Sequence, residues 1–156
     1  MKDIVVKPPL RLEIYWRGGV IAKAVLGWAG THAEGYSLLH SRYSLTVARF
    51  LQNYFFEAEE NLLEAPLDWE RVQETAGQVL SMLQKNVSYG EWISYSALAE
   101  MCGLPNCSRA VGQIMRNNPW PLLVPCHRVL RKNGQIGGFS SGEELKLFLL
   151  QTEGLI

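Results

Sequence analysis

Residues 94–117, SYSALAEMCGLPNCSRAVGQIMRN, hold the pattern on which the fold turns. Ala97 to Cys102 reads as a short helix stopped by Gly103, and Leu104-Pro105-Asn106 makes a turn. Cys107 to Asn117 reads as a second helix, with Ala110, Val111, Ile114 and Met115 at apolar positions. Asn118-Pro119 ends it, because proline disfavours helical backbone in the residue before it. Two short helices around a glycine-containing turn have the layout of a helix-turn-helix. Arg109 falls near the start of the second helix, where side chains that reach into nucleic acid lie. Ala110 and Gly112 are small and allow a close approach, either to a partner or simply to a neighbouring helix. The pattern alone fits both.

Downstream lies Val124-Pro125-Cys126-His127-Arg128-Val129. The thiolate is the nucleophilic form of cysteine, and nearby histidine and arginine favour it. Pro125 fixes its own φ and so helps to present the cysteine. Sequence neighbours in a strand point to opposite faces, so proton transfer from Cys126 to His127 needs a bridging water or an irregular backbone. A small buried hydrophobe beside a histidine is the plain alternative.

The chain has 156 residues, 47% hydrophobic and 19% charged, as expected for a globular protein. That length suits one ordinary domain or a small domain fused to another. No apolar run has transmembrane length, and Met1 to Leu10 holds charges and two prolines where a signal peptide would have an apolar core. No membrane association is expected, and the expected location is cytoplasmic, or nuclear in a eukaryote. Three cysteines fit free thiols better than a disulfide framework. Cys102 and Cys107 lack a second ligand pair, and His32 and His40 have no cysteine beside them, so no metal site is expected. The net charge is zero, yet 101–142 contains no Asp or Glu while holding Arg109, Arg116, Arg128, Arg131 and Lys132. Acids gather instead at Glu57, Glu59, Glu60 and Glu64. A local basic face suits salt-dependent contact with phosphates, or is simply solvated.

Leu10, Leu12, Ile14 and Trp16 alternate with polar residues as in a half-buried strand. Gly18-Gly19 turns the chain into a second strand, Val20 to Leu26. Gly27 to Arg42 is turn-rich. Helices are expected over Thr46 to Phe56 and over Trp69 to Lys85, the latter N-capped by Asp68. Asn133-Gly134 signals a turn between Val129-Leu130 and Gln135-Ile136. Gly137 to Gly142 is a small-residue loop, and a last helix starts near Ser141 or Gly142 and ends at Gly154. The expected class is α+β: a small N-terminal α/β domain over 1–67, then a helix-rich domain over 68–156.

Taken together, these segments resemble the O6-alkylguanine-DNA alkyltransferase family (methylated-DNA–protein-cysteine methyltransferases). The resemblance runs from about Gln78 to Gly154. It rests on Gly90-Glu91-Trp92-Ile93-Ser94-Tyr95, Arg109-Ala110-Val111-Gly112, Met115-Arg116-Asn117-Asn118-Pro119, Pro125-Cys126-His127-Arg128-Val129 and Gly137-Gly138-Phe139-Ser140. It implies a single-turnover DNA repair protein, without a cofactor and acting as a monomer on double-stranded DNA that carries O6-alkylguanine. Arg109 would fill the gap left by a guanine rotated out of the stack, with Ala110, Gly112 and Arg116 on the same DNA-facing helix. Tyr95 would assist the rotation and donate a hydrogen bond to the base. Cys126 would take the alkyl group, His127, oriented by Glu153, would draw off the thiol proton, and Asn118 would brace the turn. The backbone at Val124, Cys126 and Ser140 would read the base edge, with Phe139 against its face.

The sequence departs from the family pattern at Trp120, Phe139 and Ser141, where smaller apolar, tyrosine and glycine residues are frequent. Three other readings compete. A lesion-binding relative that does not transfer carries another residue in place of the cysteine. A helix-turn-helix regulator leaves the Cys–His–Glu set unexplained. A cysteine hydrolase would leave the protein unmodified.

Overall fold

The computed structural model describes residues 1–32, 34–37, 41–56 and 66–156. His40 and the acidic cluster Glu57, Glu59, Glu60 and Glu64 lie outside the described residues. The chain forms two compact units, Met1–Asp68 and Trp69–Ile156.

The first unit is an antiparallel sheet in the order β3-β2-β1-β4, built from β1 (Lys2–Lys7), β2 (Leu10–Arg17), β3 (Val20–Trp28) and β4 (Gly35–Ser37). The alternation in β2 is realised: Leu10, Leu12, Ile14 and Trp16 are buried, and Leu12 faces Val5 on one side and Leu26 on the other. Gly18 and Gly19 take φ values of +55° and +83°, which a tight hairpin turn requires of its central residues. Helix α1 (Ser44–Asn53) turns Val47, Ala48 and Leu51 inward. It starts two residues earlier than expected and gives way to a 3-10 turn at Tyr54–Phe56. Strands β1 and β4 were not expected, because β1 has consecutive buried valines and β4 is only three residues long. Every ladder in this sheet is antiparallel, and with α1 packed on it the unit is the small mixed helix-and-strand domain that the sequence suggested, within an α+β protein.

In the second unit, α2 (Glu74–Asn86), α3 (Tyr95–Met101), α4 (Ser108–Arg116) and α5 (Glu143–Thr152) surround a two-stranded parallel ladder of β5 (Ile93–Ser94) and β6 (Val129–Leu130). The expected helix over 69–85 is interrupted: Trp69–Arg71 is a 3-10 turn, and α2 begins after Gln73 with no side-chain cap. Asp68 does not cap it, because its carboxylate accepts from the Arg17 guanidinium. Ser94 caps α3 by accepting from Ala97 N at 3.0 Å, which starts that helix two residues before the expected Ala97. Gly103, at φ +70°, closes it and turns the chain towards α4. Arg131 N donates to Gln135 O across the 131–135 turn, but β6 pairs with β5 and not with a hairpin partner. This ladder sets the start of α3 beside the residues that follow Cys126.

Asp3, 2% exposed, accepts hydrogen bonds from Trp16 Nε1 (2.8 Å) and Ser44 Oγ, tying β1 to β2 and α1. Asp3→Ala strands both donors in the core and is expected to cost about 1–3 kcal/mol. Chemical denaturation checks this; an unchanged midpoint would show the network to be dispensable.

Candidate active site

The backbone at the cysteine is irregular, as proton transfer to its neighbour requires. Cys126–Arg128 form a 3-10 turn in which Arg128 N donates to Pro125 O at 3.0 Å. Cys126 and His127 therefore do not alternate as strand residues would. Asn118 braces the approach to this turn: its Nδ2 donates to Val124 O (3.0 Å) and its Oδ1 accepts from Trp120 N (3.0 Å). Its side chain also acts to lower the Cys126 pKa. Trp120 is fully buried and packs edge-on against Trp69, which anchors the segment between Pro119 and Pro121.

One face of α5 holds the other end of the turn. Leu145, Lys146, Leu149 and Leu150 are its buried residues, and Glu153 follows as the buried C-cap. Lys146 and Glu153 are seven residues apart, two helical turns, so both point the same way. Lys146 Nζ donates to Val129 O at 2.8 Å. Glu153 Oε1 lies 2.6 Å from His127 Nε2, and its two oxygens also accept from Arg128 Nε (2.8 Å) and Nη2 (3.1 Å).

The electrostatics follow from these contacts. Burial would push Glu153 up, but the hydrogen bonds from His127 and Arg128 and the Arg128 charge outweigh it and hold the carboxyl at about 2. An ionised carboxylate only accepts, so His127 Nε2 carries the proton of that bond. Burial lowers the His127 pKa, Glu153 raises it in part, and Arg128 and Lys146 lower it further; the net direction is down. Burial pushes the Cys126 thiol up, only partly offset by the Asn118 hydrogen bond and the Lys146 charge. The resting pair is thus a neutral imidazole beside a protonated thiol. Burial also lowers Lys146 to about 8, against the opposing influence of Cys126 and Glu143.

An open groove of about 760 Å³ is lined by Tyr95, by Ser108, Arg109, Ala110, Gly112, Gln113 and Arg116 of α4, and by Arg131, Gly137 and Gly138. Among the described residues none of these three arginines has a carboxylate within salt-bridge distance. Unpaired guanidiniums converging on one groove suit a polyanion. Tyr95 links groove and thiol: it lines the groove, and its hydroxyl pKa is raised by burial and by the charge of Cys126, against Arg131. The hydroxyl is therefore a proton donor at neutral pH. A Cβ at Gly137 would collide with that hydroxyl, whereas one at Gly112 would make ordinary contact with the ring. The small residue that the tyrosine demands is Gly137.

The sequence-derived set thus falls into groups. Cys126, His127, Glu153, Asn118 and Val124 are all buried, with Glu153 bound to His127 and Asn118 to Val124, and Tyr95, Arg109, Ala110, Gly112 and Arg116 line the groove. Phe139 is half-buried and Ser140 exposed, and neither lines it. The sequence reading missed Lys146, whose signal is a lysine on an otherwise apolar i, i+3, i+4 stripe (146, 149, 150). It also missed Arg131 and Gly137 as groove residues; only their folded positions disclose them. No cluster of three metal-ligating side chains occurs among the described residues.

Fold and site define an α+β protein whose helix-rich unit pairs a buried cysteine–histidine–glutamate network with an arginine-lined groove. The model of the 6-O-methylguanine DNA methyltransferase DNA-binding domain matches residues 74–155, and the chain belongs to that family. The Cricetulus griseus methylated-DNA–protein-cysteine methyltransferase is 52% identical over 79 residues, 50% of this chain and 38% of that protein. The chain thus spans well under half the length of that mammalian relative. A Thermus thermophilus DNA base-flipping protein is 36% identical over 95% of each chain. Among solved structures, Mycobacterium tuberculosis OGT in complex with DNA superposes with a TM-score of 0.76 at 29% identity, covering 98% of this chain and 92% of that one.

Glu153 carries a pH-dependent share of stability. Its pKa is depressed in the fold from an ordinary 4.5 to about 2, so the stabilisation is complete above about pH 4.5 and is lost as pH falls towards 2. The sequence suggests that an amide would change stability little. The bidentate Arg128 contact points the other way, because Gln leaves a part-buried guanidinium without its counter-charge. Glu153→Gln is expected to cost on the order of 3 kcal/mol at pH 7, with a gap that closes towards pH 2. Melting temperatures of both proteins at pH 7 and pH 3 check this; an equal gap at both would refute it.

Proposed function

We propose that this chain is a single-turnover DNA repair protein that moves an alkyl group from O6 of a guanine, rotated out of the duplex, to Cys126. The observation that carries the reading is the buried thiol beside a carboxylate-held histidine, linked through Tyr95 to the arginine-lined groove. A stacked base cannot meet a protein nucleophile in line, so extrusion has to come first. Helices α3 and α4 serve as the helix-turn-helix, with Arg109 filling the gap in the stack and Arg116 meeting phosphate. The Cys126 thiol gives its proton to His127, directly or through water, and the sulfur attacks the alkyl carbon. The S–C bond forms as the C–O6 bond breaks, and the electron pair passes into the purine. Tyr95 supplies a hydrogen bond to the charge that develops there. The ring leaves as guanine with one proton gained, and the protein keeps a thioether, which has no easy hydrolytic route back. Val124, Phe139 and Ser140 form the base-facing side. The helix-rich unit does this work, and the first unit supports it.

The Thermus thermophilus relative matches nearly the whole chain and is named for base flipping alone. This favours a second reading, lesion binding without transfer. Cys126 separates the two: Cys126→Ser is expected to abolish alkyl uptake while keeping lesion binding, since a hydroxyl is a far poorer nucleophile near neutral pH. Intact mass after incubation with O6-methylguanine DNA checks this. No methyl on the wild type would leave the binding-only reading, and methyl on the serine variant would move the acceptor to Cys102 or Cys107.

Arg109→Ala is expected to slow reaction in duplex DNA by about 1–3 kcal/mol, taking stacking losses as the guide, and to leave the free O6-alkylated base almost unaffected. Single-turnover rates on both substrates check it; equal slowing would put Arg109 against the base itself.

A further inference from the structure

Glu153 receives more donors than an orienting carboxylate needs. Oε1 accepts from His127 Nε2 (2.6 Å) and Arg128 Nη2 (3.1 Å), while Oε2 accepts from Arg128 Nε (2.8 Å) and Gly90 N (3.2 Å). A carboxylate offers about four lone-pair sites, and these donors from the described residues reach both of its oxygens. Arg128 is itself fixed. Its Nη1 donates to Val87 O at 2.9 Å, and the Tyr89 ring lies 5.9 Å from its guanidinium carbon. Tyr89 Oη in turn donates to the carbonyl of Thr152, next to Glu153 (3.1 Å). The segment 87–90 therefore clamps arginine and glutamate together.

We propose that Arg128 is a positioning residue that sets the protonation state of the active-site pair: it holds Glu153 as the anion and keeps His127 a neutral imidazole, open to the Cys126 proton. A buried carboxylate with only a histidine beside it pulls that histidine towards the imidazolium, because an opposite charge within a few ångströms favours the charged form. Arg128 neutralises the carboxylate first. The imidazole then donates from Nε2 to an acceptor whose charge is already matched, and it gains little from a second proton. The charged groups acting on His127 are Glu153 and Lys146 from α5 and Arg128 from its own turn, with Cys126 as its neighbour. Lys146 and Arg128 both oppose a positive ring; Glu153 alone favours it. Without Arg128 the balance shifts towards imidazolium, and the proton site that Cys126 needs is filled at neutral pH.

This inference rests on the proposed transfer to Cys126, but its test is separate. Histidine ring signals are followed by NMR from about pH 5 to 8, with His127 assigned against His127→Gln. In the wild type His127 is expected to remain a neutral Nε2–H tautomer throughout. In Arg128→Gln its titration midpoint is expected to rise by about one pH unit or more, the size of shift a nearby opposite charge gives. The acid limb of the single-turnover rate should move alkaline with it. Arg128→Lys, whose ammonium cannot span both oxygens, should show a smaller rise and carries the test if the glutamine variant does not fold. A wild-type His127 that is already imidazolium at pH 7 would overturn the proposal. So would an unchanged midpoint in a folded variant, or a rate limb that stays put while the midpoint moves. Absence of alkyl uptake by the wild type would defeat the transfer reading and leave the NMR result standing.

Discussion

The chemistry of the helix-rich unit depends on one buried carboxylate. Glu153 sits at the C-terminal end of α5 and binds the turn carrying Cys126, His127 and Arg128. Two helical turns earlier, Lys146 fixes the carbonyl of Val129 on β6. A single helix face thus grips the nucleophile segment at two points with opposite charges. Neither charge is cheap to bury, and each is matched by hydrogen bonds the segment supplies.

Burial of the thiol has two consequences that pull in opposite directions. It suppresses the thiolate and protects the cysteine from stray electrophiles and oxidants. It also removes water from the place where charge would develop, so the hydrogen bonds of Asn118 and the charge of Lys146 act at low dielectric. On the proposed reading, reactivity is set by what enters the groove and not by the resting thiol. Tyr95 stands where the two regions meet, held close by the absent side chain of Gly137.

The family match covers 74–155 in the helix-rich unit, and the Thermus base-flipping protein matches 95% of the chain. The antiparallel sheet of the first unit is held by its own network around Asp3, and its part on the proposed reading is support.

Much was legible in the sequence. The alternation Leu10 to Trp16, the glycine that ends α3 and the apolar spacing of α4 each reflect local periodicity, so they read directly. Cys126, His127, Asn118 and Tyr95 stand in ordered motifs, and Glu153 follows an apolar helix. Strands β1 and β4 did not read, because their pairing is decided by partners and not by their own pattern. Asp68 looked like a cap until Arg17, far away in sequence, claimed its carboxylate. The same holds at the site. A sequence gives residue types, but the protonation of His127 depends on which cations share its carboxylate, and the choice of Gly137 on where Tyr95 puts its hydroxyl. Those are distances between segments remote along the chain, and only the tertiary structure sets them.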